Sequence, residues 1–453
     1  MRTLAKEIAA AAKERPDDIL ELKGWVHRIR DMGGVNFVIL RDRSGLVQLV
    51  FNEKPLDEAG NPLTLESAIV VQGKAALNPK APGGAEVQVV STGSSTEGLT
   101  ILNKAHGDLP FQVNGDMTKM GLESILDNRA LSVRNPKIRS IFHVQSTIIE
   151  AFSSYLRSQD FTEIKTTKLV GGGTEGGTNL FAVDYFDRKV YLAQSPQLYK
   201  QIMVASGLER VFEVAPAFRA EKHDTPRHLN EYISLDVEMG FIDSEQDLIK
   251  LERGLLAYIF EQVASKNAED VAAWGATVPK PESTEAAPII SYEEAVKIAN
   301  AEEAKAKKGG ASRIFDITPE AERLLCQWSM DNYGSELIFV NEFPRKYRPF
   351  YTYPLDKGEG QPQSTMSFDA LFRGLEITTG GRRQHNYEEQ LEALPKFGLT
   401  PDGLSGLLTI LKYGAPPHGG FAIGAERLTQ KILGLASVKE ASLFPRDRKR
   451  VEP

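Results

Sequence analysis

From Leu20 onward, apolar and polar residues alternate in short runs, the period-two signature of half-buried strands. A run over residues 22–30 is followed by a turn at Gly33 and Gly34. A second over 36–42 ends at Ser44 and Gly45, and a third over 46–51 closes a three-strand meander. After a stretch rich in Glu, Pro and Gly, two more strands are expected near 69–74 and 86–90, separated by Asn78-Pro79-Lys80-Ala81-Pro82-Gly83-Gly84. Five strands in fewer than about 100 residues predict a small closed barrel. The alternation places Trp25 or His27, with Arg28, Arg30, Phe37 and Arg41, on its outer face.

Beyond residue 127 the period changes. Ile141, Val144, Ile148, Phe152, Tyr155 and Leu156 recur at helical spacing after Asn135-Pro136. A strand is expected over 161–165. The glycine-dense stretch 171–178 lacks the Gly-Lys-Ser/Thr of a phosphate-binding P-loop and reads as a loop closing over a small ligand. Ser244 opens a helix with Asp247 at its third position and Leu248, Leu251, Leu255, Ile259 and Phe260 on one face. Residues 265–312 turn rich in Pro, Ala, Glu and Lys and read as a surface insertion carrying a helix over 292–308. Strands return at 336–340 and 366–379. A mixed sheet with helices grouped around it predicts an α+β fold. No internal repeat is present.

Composition narrows the class. The chain has 453 residues, 41% hydrophobic and 25% charged, too many for one core and ordinary for a soluble globular protein. No apolar run approaches the roughly 18 residues of a membrane span. The N-terminal residues, with Glu7 among them, do not read as a signal peptide. The lone Cys326 excludes an intrachain disulfide and a cysteine-based zinc site, so a cytoplasmic protein with no membrane partner is expected. A net charge of −7 argues against non-specific polyanion binding but leaves room for a local basic face. For a barrel of OB type, that face grips single strands by stacking bases on aromatics and pairing phosphates with Arg. A solvated charged face over an aromatic core fits the same residues equally well.

Chemistry concentrates in four segments. Phe218-Arg219-Ala220-Glu221 runs into His223-Asp224-Thr225-Pro226-Arg227-His228-Leu229-Asn230-Glu231, with Asp236 and Glu238 beyond. So much charge around one strand–loop–strand requires pairing or a ligand. Arg219 suits bidentate phosphate contact, whereas a hairpin laced with salt bridges is the plainer alternative. Gln194-Ser195-Pro196-Gln197-Leu198-Tyr199-Lys200 puts a cation near a helix start, where the dipole disfavours it. Residues 368–383 set Glu376, Thr379, Arg382 and Arg383 beside Gly380 and Gly381. His418-Gly419-Gly420 leads to Gly424-Ala425-Glu426-Arg427, where glycines are expected to let backbone approach a ligand and Arg427 to stack on a purine. Together they describe a site for a nucleoside triphosphate, a divalent metal and a small anionic substrate.

These residues resemble the class II aminoacyl-tRNA synthetases, specifically the archaeal-type aspartyl branch. Motif 2 is matched by Phe218-Arg219-Ala220-Glu221 through Arg227-His228-Leu229 to Glu231, motif 3 by Gly424-Ala425-Glu426-Arg427, and the family's C-terminus by Leu443-Phe444-Pro445-Arg446-Asp447-Arg448. The resemblance covers nearly the whole chain, weakly at 265–320. It implies an OB-fold anticodon-binding barrel over 1–104, a hinge over 105–130 and a catalytic domain over 131–453, built on a mostly antiparallel sheet flanked by helices. Three positions depart from the pattern: Thr166-Thr167 replace the proline that ends motif 1, Ala422 replaces a motif 3 glycine, and Thr379 replaces the active-site serine.

The resemblance also implies roles. Arg219 would clamp the α-phosphate of ATP and the aspartate carboxylate region, as a catalytic group with Glu221 and Arg427. Glu221 and His228 would flank ATP, Arg227 would meet the γ-phosphate, and Ala220, Leu229, Gly424, Ala425 and Glu426 would complete that site. Glu376 and Thr379 would hold Mg²⁺, with Glu376 also meeting ATP and Thr379 also meeting the aspartate. Lys200 and Arg383 would bind the side-chain carboxylate of L-aspartate, and Glu175, Gln197 and Asp236 its α-amino group. Two cations facing one carboxylate would reject the asparagine amide, which would leave them unpaired. Members restricted to tRNA(Asp) carry Trp on barrel strand one and Lys before the last strand. His27 and Pro82 match the relaxed members, which also charge tRNA(Asn) for a tRNA-dependent amidotransferase. A homodimer is implied as well. Alternatives are an enzyme restricted to tRNA(Asp), a paralogue that amidates aspartate without tRNA, which would lack the barrel, and an inactive RNA-binding relative, against which Arg219, Glu376 and Arg427 argue.

Overall fold

The computed structural model describes all residues except 1, 34, 58, 91–96, 174–179, 307–313, 356–362 and 453. The chain divides into two compact units, Met1–Pro136 and Lys137–Pro453.

In the first unit, β1 (Leu20–Asp31), β2 (Asn36–Arg41), β3 (Leu46–Phe51), β4 (Ala68–Leu77) and β5 (Ala85–Val89) are hydrogen-bonded in the order β1-β2-β3-β5-β4, and β1 pairs with β4 to close the barrel. A sixth strand, β6 (Leu99–Asn103), lies on β4, and helix α1 (Ile8–Glu14) packs on the same core. Leu22, Val26, Val38, Leu40, Leu49, Val71 and Val87 fill the interior, as the alternation requires. Two short helices, α2 (Leu122–Asp127) and α3 (Arg129–Ser132), precede the unit's end.

The outer face differs from expectation at two residues. The β1–β2 register slips between Val26 and Arg28, so His27 is the extra residue of a β-bulge. The alternation therefore breaks, and His27 and Val26 are both buried. Arg41 is also buried, at 1% exposure. Its Nη1 donates to His27 Nδ1 at 2.8 Å, and its guanidinium forks onto Glu66 at 3.0 and 2.7 Å. It is a core ion pair rather than a phosphate contact. Trp25, Arg28 and Arg30 do reach solvent, and Arg134 lies over the Trp25 ring at 5.2 Å.

The second unit is built on an eight-stranded sheet. Its strands are β7 (Thr162–Glu163), β11 (Arg210–Phe218), β12 (Glu231–Gly240), β13 (Ile289–Ser291), β14 (Leu337–Asn341), β17 (Ser367–Phe372), β18 (Leu375–Arg382) and β19 (His418–Gly424). They are ordered β13-β14-β17-β18-β19-β12-β11-β7, antiparallel except for the two edge pairs. A three-stranded sheet, β8 (Leu169–Val170), β9 (Ala182–Tyr185) and β10 (Arg188–Leu192), and a small pair, β15 (Pro354–Leu355) and β16 (Ser364–Thr365), stand apart from it. Helices α4 (Pro136–Ser158) and α6 (Glu245–Lys266) cover one face, burying Ile141, Ile148, Phe152, Leu255, Ile259 and Phe260 against Phe212, Val237, Phe339 and Phe372. Ser244 and Asp247 form the expected capping box of α6.

Residues 265–312 are not wholly a surface insertion. After α7 (Ala268–Ala272) and α8 (Pro281–Glu285), β13 extends the main sheet parallel to β14, and α9 (Tyr292–Ala306) packs with α10 (Pro319–Tyr333) over Ile338, Val340 and Leu371. Among the described residues, no helix is long and apolar enough to cross a membrane.

Candidate active site

The other face of the sheet, at β12, β17, β18 and β19, carries a cavity of about 480 Å³. It is lined by Gln197, Lys200, Arg219, Glu221, Arg227, His228, Leu229, Asp236, Glu376, Thr379, Arg383, Gly424, Glu426 and Arg427. Residues singled out from four separate segments thus face one space. Ala220 and Ala425 flank lining residues without lining it, Ala425 being wholly buried at the start of α13 (Ala425–Leu433). Glu175 lies outside the described residues.

The pocket floor is an ion cluster. Lys200 projects from α5 (Gln197–Met203) and is 2% exposed; its Nζ lies 3.0 Å from Asp236 Oδ1 and 3.4 Å from Glu238 Oε2. Arg383 forks onto Glu238, Nε to Oε1 at 2.9 Å and Nη2 to Oε2 at 3.1 Å. Burial pushes the Glu238 carboxyl up, but the Arg383 and Lys200 charges outweigh it and hold it below the usual range. The two cations therefore already have carboxylate partners, so a neutral substrate amide would not strand them in the way expected. Selectivity has to come from how a further carboxylate fits this cluster. Among the polar atoms of lining residues, Asp236 Oδ2, an acceptor, and Gln197 Nε2, a donor, make no hydrogen bond among the described residues. Buried polar atoms of this kind call for a partner.

Gly420 serves packing rather than ligand approach, whereas Gly380 and Gly424 line the cavity. A Cβ on Gly420 would sit 2.0 Å from Val237 O and 2.3 Å from Glu238 Oε2. The bare strand is what lets β19 lie against β12 with Glu238 between them.

The upper part of the cavity is cationic. Arg219 stands over the Tyr232 ring at 5.7 Å. Arg427, in the first turn of α13, donates to Glu376 O at 2.9 Å and approaches Glu376 Oε1 at 3.4 Å. Thr379 Oγ1 donates to the same Oε1 at 3.2 Å. His228 Nδ1 lies 2.6 Å from Thr225 Oγ1. Burial first, then the Arg427 charge, lowers its ring below the ordinary histidine value, which favours the neutral form. Glu426 accepts from Ile233 N at 3.1 Å, and burial raises its carboxyl to about 7. The loop 219–231 is pinned by the C-terminal segment. Lys439 Nζ reaches Asp224 at 2.7 Å and Asp447 at 2.6 Å, Val438 N donates to Pro226 O, and Asn230 N to Arg446 O.

Two acids were given no role by the sequence reading, Asp369 although it lies within the segment 368–383 and Glu322 altogether. Asp369 faces Thr379 across the β17–β18 register, is bound by Arg348 at 2.8 Å, and is raised to about 6 by burial, with Arg348 opposing and Glu376 adding to the rise. Its place at alternate spacing within an apolar strand was the signal available. Glu322, on α10, pairs with Arg227 and accepts from Glu376 N at 3.1 Å. Nothing in its helical context marks it. At the motif 1 position, Thr166 donates through N and Oγ1 to Glu213 at 2.9 and 2.8 Å. In the barrel, Pro82 is half-buried at the head of the turn before β5.

The family model described as tRNA synthetases class II (D, K and N) matches residues 121–448, and an OB-fold nucleic acid binding domain matches 20–92. The Aspartate--tRNA(Asp/Asn) ligase of Thermus thermophilus is 46% identical over the full length of both chains. The Aspartate--tRNA(Asp) ligase of Pyrococcus furiosus is 39% identical over 96% of each. Among solved structures, asparaginyl-tRNA synthetase from Pyrococcus horikoshii complexed with asparaginyl-adenylate superposes with a TM-score of 0.85 at 29% identity, covering all of both chains.

Proposed function

The chain belongs to the class II tRNA synthetases (D, K and N), and on that premise we propose that it joins L-aspartate to tRNA through an aspartyl-adenylate made from ATP, charging both tRNA(Asp) and tRNA(Asn). The observation that carries the substrate is the pocket floor. A substrate side-chain carboxylate would share Lys200 and Arg383 with Asp236 and Glu238, while Asp236 Oδ2 and Gln197 Nε2 lack partners that an α-amino acid would supply.

Adenylate formation is an in-line attack of the α-carboxylate on the α-phosphorus and needs no protein nucleophile. Arg219 clamps the α-phosphate and the attacking carboxylate. Glu221 and His228 flank ATP, His228 as a neutral ring. Arg227 meets the γ-phosphate, and Arg427 closes on the purine. Positioning and charge neutralisation by these groups lower the barrier. Glu376 and Thr379, with Asp369 opposite, are hard oxygen donors. Among the described residues no cluster of three acids, histidines or cysteines forms a cage. That fits Mg²⁺, which takes few protein ligands and completes its shell with phosphates and water. When bound there, Mg²⁺ would offset charge on the triphosphate.

For tRNA choice, support comes from His27 and Pro82 and from the full-length likeness to a ligase named for both tRNAs. Asp-tRNA(Asn) needs a later amidation, so coupling to a tRNA-dependent amidotransferase follows, in the cytoplasm. The testing experiment is aspartate-dependent pyrophosphate exchange with asparagine as control, then charging of purified tRNA(Asp) and tRNA(Asn). Exchange with asparagine alone, or none with aspartate, would sink the reading.

A further inference from the structure

Arg227 lines the main cavity, and in this structure its Nη2 is paired with Glu322 Oε2. Glu322 does not line that cavity. It lines a smaller one, of about 160 Å³, together with Asp316 and Asp369; Tyr347, Arg348 and Glu376 line both. The carboxylate thus lies outside the lining of the main cavity and holds Arg227 from there. The same Oε2 atom accepts from the Glu376 amide at 3.1 Å. One oxygen therefore ties the loop bearing Arg227 to the strand bearing Glu376. The side chain of Glu322 is 7% exposed and that of Arg227 25%, so the pair is shielded from solvent more than a surface bridge.

We propose that Glu322 is a positioning residue for ATP: it holds Arg227 in a carboxylate pair that the γ-phosphate must displace. This rests on the reading of Arg227 given above. Arg227 cannot fork onto the carboxylate and a phosphate at full strength together. When it turns to the phosphate, Glu322 keeps the Glu376 N–H but loses its cation, and part of the binding energy of ATP is spent on that exchange. Glu322 therefore sets the apparent affinity for ATP without touching it.

The test is steady-state pyrophosphate exchange with Glu322→Gln, which retains an acceptor for the Glu376 amide. KM for ATP should fall roughly three- to tenfold, the worth of a partly shielded pair, while KM for aspartate stays unchanged. In an Arg227→Gln background the same substitution should do nothing. A rise or no change in KM for ATP overturns the proposal. So does an equal fall in the Arg227→Gln background, which would mean that removing any negative charge suffices. Should Glu322→Gln not fold, Glu322→Asp, with its carboxylate drawn back by one methylene, should also lower KM for ATP, and an equal or higher KM refutes the idea. If Arg227→Gln alone leaves KM for ATP unaltered, Arg227 does not meet the triphosphate and the site reading fails with it. If Arg227→Gln raises KM while the Glu322 variants do not lower it, only the Glu322 proposal falls.

Discussion

The strongest single-residue consequences lie where charge is buried. Lys200 is held by two carboxylates at 3.0 and 3.4 Å in a floor closed to water. Lys200→Leu would leave Asp236 partnerless and Glu238 with Arg383 alone. Aspartate activation should fall at least about 100-fold in pyrophosphate exchange, and activity within tenfold of wild type would remove Lys200 from the pocket. Glu252 is a second case. It is fully buried on α6, and neither carboxyl oxygen makes a hydrogen bond of ordinary geometry among the described residues, although Thr378 lies near enough to oppose the effect of burial. Burial raises its carboxyl to about 8. With the folded value above the unfolded one, the folded chain keeps a proton that the unfolded chain releases. The contribution to stability is complete below pH about 4.5 and is lost as pH rises towards 8, by roughly 1.4 kcal/mol per unit at most. Glu252→Gln should therefore flatten the fall in melting temperature between pH 5 and 8.5 and raise stability at the alkaline end. An unchanged pH profile would mean that Glu252 is ionised in the fold.

Elements were legible in the sequence where one period and one cap agreed. Ile141, Val144, Ile148 and Phe152 mark α4 because its buried stripe is wide and uninterrupted, and Ser244 with Asp247 marks the start of α6 to the residue. Ser244→Ala removes the cap acceptor for Gln246 N at 3.2 Å and should cost about 1 kcal/mol, read as a fall in melting temperature with exchange activity kept at 25 °C. No loss of stability would show that sheet packing alone holds the end of α6. What escaped the sequence is tertiary in origin. β13 is three residues long and parallel to β14, so it offers no alternation to detect. The bulge at His27 is invisible because a single inserted residue leaves composition unchanged while reversing which side chains face in. Arg41 reads as a phosphate grip until Glu66, 25 residues away, is seen to claim it. The site was legible as four charged segments, since residues so costly to bury need partners. Their partners, Glu238 for Arg383 and Glu322 for Arg227, were not, because pairing across strands depends on register.

At the scale of the whole molecule, two expectations follow from the family and from the barrel. A homodimer of twice the 50.0 kDa chain mass should appear in light scattering at micromolar protein, and a monomer there would point to Thr167 at the motif 1 position as the altered feature. The sharper expectation concerns tRNA. The aspartate and asparagine anticodons differ only in the third base, so discrimination rests on few contacts, each worth roughly 1–3 kcal/mol. His27 is not a freely exposed reader. It is 8% exposed at the bulge, and Arg41, always protonated, donates to its Nδ1, which makes that nitrogen an acceptor and leaves any ring proton of the neutral form on Nε2. A histidine can serve either pyrimidine, and Pro82 brings no backbone N–H to prefer one of them. Wild type should therefore charge tRNA(Asp) and tRNA(Asn) within about tenfold, or ~1.4 kcal/mol. His27→Trp with Pro82→Lys should move the ratio towards tRNA(Asp) by about 10- to 100-fold. Aspartate-dependent pyrophosphate exchange should stay at wild-type level, because it needs no tRNA and draws on the second unit alone. Since the larger indole must fit where Arg41 and Glu66 are packed, circular dichroism should accompany the assay. If the well-folded double variant keeps the wild-type ratio, or if wild type already rejects tRNA(Asn) by a hundredfold, the third anticodon base is read elsewhere on the barrel and these two positions do not decide it.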